Sequence, residues 1–119
     1  AAILAAQAVE KGDYDLAVSQ LTYALANVET AELKAVMALR LARLELQLDQ
    51  VDAALQRVRA ITDPSVAASA AELEGDILTQ QGALSDARAS LQQARDLLRA
   101  SGLNTAVVDL KLSALPKDS

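Results

Sequence analysis

The sequence predicts an all-α fold of antiparallel helical hairpins, and three observations lead there. Alanine occurs 26 times and leucine 21 times among 119 residues, while valine and isoleucine together number 12. Ala and Leu are strong helix formers, and a sheet needs more β-branched residues than this. Apolar residues recur at spacings of three and four, the period of an amphipathic helix. Finally, the helical runs are parted by very short joints, which force neighbouring helices to lie antiparallel. About seven helices are expected.

Taken in order, residues 1–11 form the first helix and Gly12-Asp13 breaks it. The second, over 14–27, carries Leu16, Ala17, Leu21, Ala24 and Leu25 on one side. Thr30 is placed to cap the third, over about 31–47. That helix bears Leu33, Val36, Met37, Leu39, Leu41, Leu44 and Leu46 on more than one face, so it is expected to be packed on several sides. Asp49-Gln50 is a weaker break, after which the fourth helix runs to about Ile61. Asp63-Pro64 supplies an N-cap acid and a proline at the first helical position of the fifth, over about 64–80. The sixth covers about 84–100 and ends at Ser101-Gly102, a left-handed cap. A last short helix over 104–115 precedes Pro116.

A repeat organises these helices. Gly12-Asp13-Tyr14-Asp15-Leu16-Ala17, Asp49-Gln50-Val51-Asp52-Ala53-Ala54 and Gly82-Ala83-Leu84-Ser85-Asp86-Ala87 each hold a turn, a large apolar residue and an alanine three positions later. Ala17, Ala54 and Ala87 are 37 and 33 residues apart, a period in the tetratricopeptide range. Seven residues after Tyr14, Val51 and Leu84 come Leu21, Val58 and Leu91, and ten after them come Ala24, Ile61 and Ala94. A second small position, at Ala5, Ala42 and Gly75, falls 12 residues before each of those alanines. Small residues there let two helix backbones approach closely. The expected packing set is Ala5, Tyr14, Ala17, Leu21, Ala24, Ala42, Val51, Ala54, Gly75, Leu84, Ala87, Leu91 and Ala94. The chain thus reads as one domain over 1–119, a short right-handed tetratricopeptide-like solenoid. Its repeats cover about 1–30, 31–63 and 64–101, and a capping helix at about 104–115 closes the stack.

The same composition excludes much chemistry. Histidine and cysteine are absent, which removes imidazole and thiolate metal sites, histidine-dependent triads and disulfides. The net charge of −5 disfavours nucleic acid and anionic membrane surfaces. No apolar run of 18 residues would span a bilayer. No catalytic, cofactor-binding or metal-binding residue is expected, and the chain reads as non-enzymatic.

The run Glu32-Leu33-Lys34-Ala35-Val36-Met37-Ala38-Leu39-Arg40-Leu41-Ala42-Arg43 resembles the signature helix of the YfgM-like proteins. Leu46-Gln47-Leu48-Asp49-Gln50-Val51-Asp52-Ala53-Ala54-Leu55 and Glu74-Gly75-Asp76-Ile77-Leu78-Thr79-Gln80-Gln81-Gly82 are similar too. The resemblance implies an ancillary subunit of the bacterial SecYEG translocon, with a cytosolic segment, one membrane anchor and a periplasmic tetratricopeptide domain. It implies association with the translocon and with the periplasmic chaperone PpiD during protein export, and a place on the periplasmic face of the inner membrane. The chain opens Ala1-Ala2-Ile3, so the implied anchor would lie ahead of it. The alternative is a different tetratricopeptide adaptor that scaffolds another bacterial envelope complex.

First helices of such repeats line the partner-binding groove. On this register the groove positions are Val36, Leu39, Arg43, Leu46 and Gln47 in the second repeat. Those of the third are Ser69, Glu72, Asp76, Thr79 and Gln80, and the first repeat offers Ala2, Ala6, Val9 and Glu10. Such a groove has an apolar centre and a mixed polar rim, suited to an extended or helical apolar segment. Arg40 and Arg43 are readable as partner contacts, intramolecular ion pairs or a solvated face. Glu72 and Asp76, four apart, read as a solvated acidic face, because acid–base or metal work would require a further partner. Tyr14 is expected in the core, and Tyr23 is open.

Overall fold

The computed structural model describes residues 14–28 and 30–116. The expected first helix, Ala5 and the groove positions before residue 14 lie outside the described residues. The described elements are all helical: α1 (Tyr14–Asn27), α2 (Ala31–Gln47), α3 (Val51–Arg59), a 3₁₀ turn (Pro64–Val66), α4 (Ala67–Gln80), α5 (Leu84–Ala100) and α6 (Ala106–Ala114). They belong to two compact units, Ala1–Asp63 and Pro64–Ser119. None of these helices is long and apolar enough to cross a membrane.

In the first unit, α1 packs on α2 and α2 on α3. Ala17 and Leu21 of α1 meet Met37, Leu41 and Leu44 of α2 in one apolar cluster, flanked by Tyr14, Val18, Ala24 and Leu25. Burying a side chain such as Leu41 removes about 1.5–3 kcal/mol of unfavourable hydration. α2 buries Ala35, Met37, Leu39, Leu41, Ala42, Leu44 and Glu45, so it has the multi-sided packing its sequence implies. Thr30 Oγ1 accepts from Leu33 N at 3.2 Å and opens it.

Two helix limits differ from the sequence expectation. α3 stops at Arg59, because Ala60 N and Ile61 N already bond three residues back, to Arg57 O and Val58 O. That tightening suits a chain about to meet Pro64, which holds Asp63 away from helical geometry. Asp63-Pro64 does not open an α-helix directly. Pro64 starts a single 3₁₀ turn and α4 begins at Ala67, since a residue without N–H fits the first turn of either helix type.

In the second unit, α4 packs on α5 and α5 on α6. Leu73 and Ile77 of α4, Leu91 and Ala94 of α5 and Val108 of α6 are buried. Gly75 marks a close crossing of α4 and α5. A Cβ there would lie 2.6 and 2.7 Å from Leu91 Cγ and Cδ2 and 3.4 Å from the carbonyl oxygen of Ala87. Of the remaining described packing positions, Ala17, Ala42, Ala54 and Ala87 are fully enclosed, while Val51 and Leu84 are half-buried.

The turns between helices share one device. Asp49, Gly82 and Gly102 have φ of 63°, 78° and 70°. At each, the residue after it bonds back five positions: Gln50 N to Glu45 O, Ala83 N to Leu78 O and Leu103 N to Leu98 O, at 2.8–2.9 Å. These are Schellman caps, which satisfy carbonyls left open at a helix end.

Candidate functional site

α2 presents an exposed stripe of mixed apolar and polar side chains on the first unit. At 3.6 residues per turn, Leu33, Val36, Arg40, Arg43 and Gln47 fall on one stripe, spaced three, four, three and four apart. Leu33, Arg40, Arg43 and Gln47 are exposed and Val36 is half-buried. The Gln47 amide donates to Tyr14 Oη at 3.4 Å, and the Tyr14 ring lies against the core cluster. Tyr23 is exposed.

This stripe differs from the groove expected from sequence. Leu39 is only 5 % exposed and Leu46 is half-buried, so neither forms an open apolar centre. Both lie on the neighbouring stripe of α2, turned toward the interior. Leu33, 45 % exposed, takes the open apolar place instead. The alternating three-four spacing from Leu33 to Gln47 was the signal for it. It was masked because apolar residues fill several faces of this helix.

The opposite face of α2 and the adjoining face of α3 enclose an open concavity of about 720 Å³. Ala31, Ala35 and Ala38 of α2 and Ala53 and Ala60 of α3 line it, with Lys34 and Gln56 among its polar side chains. Within it the Glu45 carboxylate accepts both Arg57 Nε at 2.7 Å and Nη2 at 3.2 Å. The Glu45 side chain is 8 % exposed and that of Arg57 33 %. The paired fork satisfies a carboxylate that is almost wholly withdrawn from water. Sequence reasoning missed this pair, since residues 12 apart across a turn show no local periodicity.

In the second unit two of the five expected groove positions, Glu72 and Asp76, are engaged by the protein itself, while Thr79 and Gln80 are exposed. Lys111 Nζ, from α6, donates to Glu72 Oε2 at 2.6 Å and to Asp76 Oδ2 at 2.9 Å. The expected solvated acidic face is therefore a half-buried ion cluster under α6. Burial alone would lower the Lys111 pKa. The hydrogen bonds to Glu72 and Asp76 and their negative charges more than offset that, and its pKa is raised above the ordinary lysine value. Thr79 Oγ1 donates back to Gly75 O at 2.7 Å, Ser69 is half-buried and Gln80 is exposed.

Further polar contacts tie α6 down. Arg95 lies 3.9 Å from Asp109, whose other oxygen accepts from Thr105 Oγ1 at 2.8 Å. Arg88 donates to Pro116 O at 2.6 Å. Asn104 Oδ1 accepts from Ala106 N at 2.7 Å at the start of the helix. Among the described residues, no group of three or more His, Cys, Asp or Glu side chains is arranged to hold a metal ion.

Comparison with known proteins adds a family. Residues 1–117 match the model of a tetratricopeptide repeat-like domain. Three curated relatives carry the name ancillary SecYEG translocon subunit. That of Escherichia coli K12 is 41 % identical over 73 % of this chain and 42 % of its own length. That of Aggregatibacter actinomycetemcomitans is 33 % identical over 91 % of this chain and 52 % of its own. That of Haemophilus influenzae is 33 % identical over 93 % and 53 %. The chain thus spans about half the length of the curated relatives it matches. No solved structure matches it.

Proposed function

Because the chain belongs to the tetratricopeptide repeat-like family, and its curated relatives are ancillary SecYEG translocon subunits, we propose that it is the protein-binding domain of such a subunit. It acts without catalysis, at the periplasmic face of the bacterial inner membrane. There it links the SecYEG translocon to periplasmic chaperones, PpiD among them, as exported chains emerge. The observation that carries this reading is the identity of 33–41 % to three proteins of one name.

The geometry supports a binder. The exposed stripe of α2 offers apolar, cationic and amide side chains to a partner segment, in the manner of a helix or extended chain laid on a groove. Leu33, Val36, Arg43 and Gln47 are its proposed contacts. The carboxylates of Glu72 and Asp76, the pair that acid–base chemistry would need, are held by Lys111.

Site-directed photo-crosslinking in membranes tests the proposal, with the probe at Leu33 or at Gln47 of the full-length protein. Adducts to SecYEG components or to PpiD are expected. Adducts only to proteins of another envelope complex would favour the alternative adaptor and refute the translocon reading.

A further inference from the structure

We infer that the α2 stripe takes an acidic protein segment, one carrying two carboxylates beside apolar residues. This rests on the stripe being a binding surface, as proposed above. The chain is acidic overall, with 16 acidic and 11 basic residues. Yet between residues 33 and 48 the charged residues are Lys34, Arg40, Arg43 and a single acid, Glu45. Glu45 is buried and neutralised by Arg57, so beyond the exposed Glu32 in the first turn of α2 the exposed charge along that stretch is positive.

Arg40 and Arg43 are both exposed, and no hydrogen bond or ion pair engages either among the described residues. In the second unit Arg88, Arg95 and Lys111 each meet a carbonyl or carboxylate within their own unit, while Arg99 is exposed. Arg40 and Arg43 stand one turn apart on the stripe, rising about 4.5 Å along the axis. Guanidinium forks at that separation fit two carboxylates on successive turns of a helix, or on alternate residues of an extended chain. Val36 and Leu33, about one and two turns further toward the N-terminus, give the apolar contact that fixes register.

The test uses three 14-residue peptides added to the whole chain. One repeats leucine and glutamate, the second has glutamine for glutamate, and the third has lysine. Binding is followed by fluorescence anisotropy at low and physiological salt. The acidic peptide should bind at least tenfold more tightly than the glutamine peptide, lose affinity as salt rises, and lose about tenfold more with Arg40→Glu plus Arg43→Glu. Because both side chains are exposed, thermal unfolding of that variant should match the parent. Arg40→Lys plus Arg43→Lys should retain part of the binding.

Equal binding of acidic and glutamine peptides overturns the inference. So does binding only to phosphatidylglycerol vesicles, or concentration-dependent self-association that the charge reversal abolishes. Crosslinks from Leu33 that persist in the Arg40→Glu, Arg43→Glu protein would sink the acidic-segment inference and leave the translocon reading standing. Preference for the acidic peptide, with no translocon or chaperone crosslink from the parent, would do the reverse.

Discussion

Gly75→Ala separates local propensity from tertiary packing. In an isolated helix the change gains about 1 kcal/mol. Here the new Cβ would sit 2.6 and 2.7 Å from two carbons of Leu91, well inside van der Waals contact. Leu91 is 1 % exposed, so it would have to shift within a packed interior. Overpacking of this kind costs about 1–3 kcal/mol, so the net effect, after the propensity gain, should be a loss of up to about 2 kcal/mol. Leu91→Ala alone should cost about 2–5 kcal/mol through the cavity it leaves. Adding Gly75→Ala to that background should reverse sign and stabilise by up to about 1 kcal/mol, because the obstacle is gone and only propensity remains. Urea unfolding followed by circular dichroism at 222 nm completes the cycle. Gly82→Ala is the control: its Cβ would meet nothing within 4 Å, so its cost, about 1 kcal/mol, comes from φ alone. If Gly75→Ala destabilised both backgrounds equally, close approach to Leu91 would not be the reason for the glycine.

The ion pairs yield two more expectations. Arg57→Ala should destabilise more than Glu45→Ala, by about 1–2 kcal/mol, because it strands the more deeply buried partner; unfolding midpoints of the two variants read the difference directly. Lys111 holds its proton more tightly in the folded chain than in the unfolded one. Its contribution is therefore complete below the unfolded pKa of about 10.4 and is lost as pH rises through the higher folded value. The gap in stability between the parent and Lys111→Met should stay constant from about pH 7 to 9, then narrow in the alkaline range. The gap should be modest, about 1 kcal/mol or less, since the cluster is partly open to solvent. A gap that widened with pH would contradict this assignment.

The acid pair shows how local reading meets its limit. Glu72 and Asp76 share a helix face by spacing, and nothing between them in the sequence points to Lys111, 35 residues beyond Asp76. The expected apolar groove centre meets a related limit, with Leu39 buried and Leu46 half-buried. Leu39 and Leu46 occupy register positions that face outward in a general repeat, but α2 is apolar on several faces. Periodicity cannot say which face the rest of the fold covers. Glu45 and Arg57 stayed hidden because their pairing depends on the antiparallel return of α3.

By itself, the sequence determined what local chemistry controls. Helix formation follows from alanine and leucine, and the ends of helices from Thr30, Gly82 and Gly102, whose capping needs only a side-chain oxygen or a permissive φ. The helical-hairpin repeat follows from recurring small residues, because a missing side chain is legible wherever it recurs. The tertiary structure alone decided which apolar face of α2 stays open, which carboxylates are neutralised from within and which arginines remain available to a partner. Those outcomes depend on burial and on residues distant in sequence, and burial is a property of packed helices rather than of any one of them.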